Sequence, residues 1–241
     1  MNKETLIDIL TARSDYMKKL KLNKFRNQIK ERIKKLIKKQ EFNELENIDV
    51  SFIKDFSGLF QDCKNLTSLK FLKKWNVHNG KDFRDMFFGC SNLESLEGLE
   101  NWNVKNGTNF SYMFFECGNI KSLKPLKNWN VSKGIHFQTM FCECKLIKSL
   151  KPLKNWNVSN GRIFARMFEK CFNLESLKGL ENWNLSKGED FRWMFYDCYN
   201  FKSFKPLKKW DVHNGISIGS MLSLHKGIIL FKPLEKLTFR Y

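Results

Sequence analysis

Apolar residues recur along this chain with a long period. Trp75, Trp102, Trp129, Trp156, Trp183 and Trp210 stand 27 residues apart, and so do Cys63, Cys90, Cys117, Cys144, Cys171 and Cys198. The methionines from Met86 to Met221 and the glycines from Gly80 to Gly215 keep the same step, with no insertion or deletion. A fixed period of this length marks a repeat architecture. Within one copy Phe191, Met194, Phe195 and Cys198 fall at i, i+3, i+4 and i+7, as do Phe83, Met86, Phe87 and Cys90. That spacing predicts a short amphipathic helix. Turn-forming stretches such as Val158-Ser159-Asn160-Gly161 precede it. Asp55, Asp82 and Asp190 sit just ahead of the stripe, where a carboxylate suits the positive end of a helix. After the stripe, Asn173 leads into Leu174, Leu177 and Leu180, a segment too short for a second helix and therefore predicted to be an extended strand.

A strand, a turn and a short helix cannot bury their own apolar side, but stacked copies can. The expected fold is an α/β solenoid, a right-handed stack of about seven strand-turn-short-helix rungs. Its parallel strands would lie on one face, about 4.8 Å apart, with the helices on the other. Phe56, Leu59 and Phe60 begin the first rung, with Ile48 in the Trp register and Val50 in the Val77 register. Ile218, Met221 and Leu222 begin the last, His225 replaces the ladder Cys, and Ile228, Phe231, Leu234 and Leu237 complete a final strand. Two domains are expected: residues 1–44, a basic helical N-terminal cap, and 45–241, the solenoid. In the cap, Leu22, Phe25, Ile29, Ile33 and Leu36 lie at helical spacing, with Ser14 and Asp15 as caps.

The string Asn182-Trp183-Asn184 before a turn, then an aromatic, Met194-Phe195 and Cys198, with an apolar residue, mostly Leu, in the next strand, recurs in the copies from Asn101 on, while the first Trp copy reads Lys74-Trp75-Asn76 and the last Lys209-Trp210-Asp211. In these motifs, over residues 45–241, the chain resembles the BspA-like class of leucine-rich repeat proteins. Gly80 and its equivalents stand where that class usually has a β-branched residue, and Phe83 and its equivalents where it usually has Met. The resemblance implies a ligand-binding or adhesion scaffold, found among bacterial surface proteins and in some protists and viruses, with no catalytic residue to carry over.

Composition narrows the function classes. Of 241 residues, 42% are hydrophobic and 15% aromatic, which suits a packed core and not a disordered chain. The net charge is +18, but only 8 of the 43 basic residues are Arg, and residues 16–40 carry +10 of it. A bias toward AT-rich codons would produce the same Lys excess. No run approaches the roughly 18 apolar residues of a membrane helix. The N-terminal stretch, charged at Lys3, Glu4 and Asp8, shows no secretory signal. A cytoplasmic location is therefore expected, with a surface location only by an unrecognised export route.

The Cys ladder lies on the apolar stripe, so buried packing thiols are expected. Cys142-Glu143-Cys144 lacks the second pair of a zinc site. His78, His136, His213 and His225 have no nucleophile or ligand set beside them, and neither a phosphate loop nor a dinucleotide fingerprint occurs. No catalytic residue, metal or cofactor is expected, and the protein is not read as an enzyme. The informative positions lie between the strand leucines. Lys121, Lys124 and Lys127 in one rung and Lys148, Lys151 and Lys154 in the next put six like charges in neighbouring rows, which either splay into solvent or meet an acidic partner. A second candidate surface is aromatic: Phe88 and Phe115, with Cys142 and Tyr196, share one register outside the stripe, and Tyr112 and Trp193 share another. The leading functional expectation is a non-enzymatic protein-protein interaction scaffold. The alternatives are nucleic-acid or anionic-surface binding through the basic helix and the Lys rungs, a mobile-element or phage inhibitor or decoy that clamps a host protein, and a bacterial surface adhesin. Oligomeric state is not readable from the residues.

Overall fold

In the computed structural model, residues 24–25, 27–215 and 221 are described. Helix α1 covers 27–39, with 24 and 25 also helical, and α2 is the single turn Phe42–Leu45. Ile33 and Leu36 of α1 are buried against the first repeat, and Ile29 and Ile37 pack beside them. The helix stops at Gln40, whose φ of 61° is left-handed. There the Gln40 and Glu41 amides bond back to Ile37 and Leu36, closing the last turn. Leu22, Ser14 and Asp15 lie outside the described residues, as do the expected last-rung residues Ile218, Leu222, His225, Ile228, Phe231, Leu234 and Leu237.

Successive copies sit on one another in register. Phe56, Phe83, Phe110, Phe137, Phe164 and Phe191 form one column of near-parallel rings, 5.4 to 5.6 Å between centroids. Phe60, Phe87, Phe114, Phe141, Phe168 and Phe195 form a second at 5.4 to 5.7 Å. The tryptophans from Trp102 to Trp210 form a third, at 6.3 to 6.4 Å. Each indole N–H reaches the main-chain oxygen of a leucine in the copy before, as Trp129 does to Leu99 at 2.9 Å. Each ladder thiol from Cys90 to Cys198 donates to a phenylalanine carbonyl in the same way, at 3.0 to 3.2 Å. The indole and thiol groups of the core are thereby satisfied without leaving it.

The expected strand-helix solenoid is not what these copies form, and the leucine-rich-repeat label goes with it. Among the described residues there is no β-strand, only isolated parallel bridges such as Asp55 to Asp82 to Asn109 and Ser68 to Ser95. The two α-helices among these residues both lie N-terminal to the repeats, and most of the described backbone is turns and irregular.

The stripe Phe83, Met86, Phe87, Cys90 and its equivalents at 56–60 and 191–198 are consecutive tight turns. An isolated one- or two-turn helix would leave most of its backbone groups unpaired. Here the amides of Phe83, Asp85, Phe87 and Gly89 bond to carbonyls of the next copy at 2.9 to 3.1 Å. Those of Met86, Phe88 and Cys90 bond back three residues. What aims the alternate amides along the stack is left-handed backbone at two registers: Gly58, Asp85, Tyr112, Thr139, Arg166 and Trp193, then Asp62, Gly89, Glu116, Glu143, Lys170 and Asp197. The apolar side chains point inward with helical spacing although no helix forms.

The expected strand after each stripe is also a turn. Lys70–Leu72, Lys124–Leu126, Lys151–Leu153 and Lys205–Leu207 are single 3-10 turns. Three residues per 3-10 turn puts both leucines on one side, which is the spacing read as a strand. Where Gly98 and Gly179 replace the middle residue, their φ values of 109° and 108° bend the chain differently. Asp55, Asp82 and Asp190 accept the amides two residues on, at 2.9 to 3.0 Å, so they cap turns and not helices.

Candidate binding surfaces

The 3-10 turns and their equivalents carry the lysines outward. A serine hydroxyl accepts the amide at the start of each turn, Ser122 from Lys124 at 3.2 Å, Ser149 from Lys151 at 3.3 Å and Ser176 from Lys178 at 3.1 Å. Pro125 and Pro152 fix the next φ, and Leu126 and Leu153 anchor the end in the core. The lysines therefore stand in rows on a stiff edge, one per copy.

The six lysines singled out divide into two sets. Lys121 is neutralised by Glu94 of the copy before, at 2.6 Å, and Lys148 faces Glu175 of the copy after, at 3.5 Å. Lys124, Lys127, Lys151 and Lys154 are exposed and have no ion pair among the described residues. Lys178 and Lys205 continue the row of Lys124 and Lys151 in the same condition. A groove of about 680 Å³ lies over this region, with Lys127, Lys151, Lys154 and Lys178 on its sides. Pro152 and Gly179 are among its lining residues. A Cβ on Gly179 would lie 2.4 Å from the Leu150 oxygen, so only glycine keeps this floor. Glu181 also borders the groove, but its carboxylate is turned onto the Gly179 amide at 2.6 Å. A second cleft, of about 460 Å³, is lined by Glu94, Glu97 and Glu100 on one side and by Lys121, Lys124 and Lys127 on the other, so its charges balance.

Sequence reasoning missed the groove's amides. Asn128, Asn155 and Asn182, the first Asn of each Asn-Trp-Asn string, are exposed and line it. Their carboxamides bond to nothing among the described residues, whereas the second Asn, as in Asn130 and Asn157, caps the amide two residues on. The 27-residue step of that string was the available signal.

The aromatic positions lie on turns, not on a helix face, and they are half-buried. Phe88 meets Phe115 edge-on at 5.1 Å, and Tyr112 meets Phe115 at 6.1 Å, so the two registers merge into one small cluster. Trp193 stands apart, with the Arg166 guanidinium 4.3 Å from its ring centre and Arg192 5.8 Å away. Cys142 is buried, and Glu169, in the same register one copy on, is buried against Arg166 at 3.0 Å. Burial, then the Glu169 and Glu143 carboxylates, push the Cys142 thiol up. Burial raises the Cys198 thiol to about 12 and the half-buried Cys63 thiol also to about 12. These thiols stay protonated, and a protonated thiol is a poor nucleophile.

The basic helix offers charge only. Its apolar side is used on the first repeat, while Arg32, Lys35 and Lys38 point to solvent and Lys30 is tied to Asp55 at 2.7 Å. Among the described residues no helix is long and apolar enough to cross a membrane.

Residues 27–150 and 118–228 both match one protein family, described as "Mycoplasma protein of unknown function, DUF285". No curated protein and no solved structure matches the chain.

Proposed function

The chain belongs to that DUF285 family, and from this premise and its own surface we propose that it is a binding scaffold, working without catalysis, that holds a protein partner in the Lys-Asn groove. The observation that carries the proposal is the set of four unpaired lysines that line the groove, Lys127, Lys151, Lys154 and Lys178, held on capped turns over a core of stacked rings. Such an edge loses little conformational freedom when a partner docks, so less of the contact energy is spent on ordering. The resemblance of its Asn-Trp-Asn and Met-Phe strings to BspA-like proteins supports a binding role in the same direction. Seven unbridged cysteines suit a reducing compartment, and the proposal places the protein in the cytoplasm.

The test is cross-linking in the source cells, followed by capture of the full chain and of K127E/K151E/K154E/K178E, each with and without nuclease. A protein held by the natural chain, kept after nuclease and lost from the variant, is the expected result. The same protein retained by the variant would move the interface off the groove. Recovery that vanishes with nuclease would replace the protein partner by nucleic acid.

A further inference from the structure

The groove's chemistry is more specific than its charge, and, resting on the scaffold reading above, we infer that its occupant is an extended acidic peptide segment of the partner. The segment lies along the stack with carboxylates on Lys127, Lys151, Lys154 and Lys178. Its main chain lies on the row of carboxamides beside them.

Four features select a peptide. The lysines supply ammonium groups with no carboxylate of their own among the described residues, and the one acid on the rim, Glu181, is already bonded to a backbone amide. Asn128, Asn155 and Asn182 each present a donor and an acceptor, which match the N–H and C=O of an extended chain. A phosphodiester offers acceptors only, so each Asn oxygen facing it would go unpaired. Single-stranded nucleic acid is also held by stacking bases on aromatic rings. This groove has no ring to offer but Pro152, because Trp129, Trp156 and Trp183 are only 2 to 3% exposed. Finally, the basic stretch is short. It gives way on one side to a cleft where Glu94, Glu97 and Glu100 balance Lys121, Lys124 and Lys127, so the excess of positive charge that a polyphosphate would follow along the stack does not continue there, whereas a segment with a local acidic cluster needs no more than the groove supplies.

The length follows from the rungs. Lys127 and Lys178 lie in copies two steps apart, and stacked rings of adjacent copies are 5.4 to 5.7 Å apart. An extended chain advancing about 3.3 Å per residue crosses that span in three or four residues. Two or three acidic side chains on one side of the strand suffice to meet the lysines.

The experiment is fluorescence anisotropy of the full chain at about 0.15 M salt, where exposed charges are screened beyond about 8 Å. The probes are a labelled peptide of alternating Glu and Ser, its Gln-Ser counterpart, and an oligouridylate of equal charge. The acidic peptide is expected to bind at least about tenfold more tightly than either control, a difference of about 1.4 kcal/mol. K127E/K151E/K154E should abolish that binding. N128A/N155A/N182A, which leaves the charge unchanged, should weaken the peptide several-fold and leave the oligouridylate as it was. Unaltered thermal unfolding of both variants shows that they are folded. Failure of the acidic peptide to bind, or binding that survives the charge reversal, overturns the peptide assignment. The scaffold reading then still stands on groove-dependent capture of a protein. Tighter, lysine-dependent binding of the oligouridylate overturns both.

Discussion

Gly134→Ala should be among the most damaging single-methyl additions to this protein. A Cβ at position 134 would lie 2.3 Å from Cζ of Phe137, 2.8 Å from its Cε2 and 3.0 Å from the Val131 oxygen. Carbon atoms rest at about 3.5 to 4.0 Å, so the ring would have to retreat by more than about 1 Å. It has nowhere to go. Phe137 is fully buried and lies between Phe110 at 5.6 Å and Phe164 at 5.4 Å, with planes within 11° of parallel. Overpacking of this kind costs about 1 to 3 kcal/mol, and the short contacts put this site at the upper end. Phe137→Leu alone, which shortens the side chain and leaves a small void, should cost about 1 to 2 kcal/mol. In G134A/F137L the new methyl occupies the released space. The double variant should therefore be more stable than the sum of the two losses by at least about 1 kcal/mol. Urea unfolding followed by tryptophan fluorescence measures all three. A G134A midpoint within about 0.5 kcal/mol of the natural chain, or additivity within the same margin, would refute the assigned packing.

Three further outcomes follow from the same geometry. Glu116 is exposed and holds a φ of 59°, in the register where Gly89 stands one copy earlier. Glu116→Gly removes a left-handed penalty of about 1 to 2 kcal/mol against an added unfolded-state entropy of about 0.5 to 1, so its urea midpoint should rise. With a thiol reagent at pH 8, Cys63 should react slowly in the folded protein. The buried thiols of Cys90, Cys117, Cys142, Cys144, Cys171 and Cys198 should appear only as the chain unfolds. Bonding to Arg192 holds the Asp190 carboxyl below the usual 3.8, and bonding to Lys170 holds Glu143 below 4.5. Folded values below unfolded ones stabilise fully above those pH values, and the stabilisation is lost as pH falls through them. Urea midpoints should stay level near neutrality and drop below about pH 4.5, less steeply in R192Q/K170Q, and an unchanged acid limb in that variant would count against these pairs.

The inward half of each repeat is legible from the sequence because burial follows side-chain spacing whatever the backbone does. Phe83, Met86, Phe87, Cys90 and Leu93 are all fully buried, as their registers imply. The backbone itself is not legible, because two different paths give those spacings. Tight turns joined by left-handed residues imitate helical periodicity, and 3-10 turns imitate a punctuated strand. What chooses between them is hydrogen bonding to a copy 27 residues away, which no local window contains. A signal was nonetheless present in Gly80 and Phe83, two departures from the resembled pattern that prove to be one. The Phe83 ring end sits 2.4 Å from where a Cβ on Gly80 would be, so the larger ring and the missing side chain require each other. The lysine rows were visible too, but which lysines are free was not. That depends on lateral neighbours, with Glu94 beside Lys121 and Glu175 beside Lys148.

Those lateral neighbours connect stability to binding. Where the row through Lys121 and Lys148 would accumulate charge, a glutamate in the adjoining copy relieves it. In the next row Lys70 is relieved by Glu97 at 2.9 Å, but Lys124, Lys151, Lys178 and Lys205 follow one another with no such partner among the described residues. Like charges stacked in neighbouring rows oppose each other, mildly in water and more as water is excluded. The repulsion is tolerable because the turns beneath are fixed by serine caps and buried leucines, and Lys151 and Lys178 of this row line the groove. An anionic segment entering that groove relieves repulsion as well as making contacts, and it can do so only while the copies are stacked. The acidic peptide should accordingly raise the unfolding free energy by about 2.7 kcal/mol at a hundred times its Kd. For K127E/K151E/K154E the added peptide should change nothing, while the variant alone, with the row's charge broken, unfolds no more easily than the natural chain.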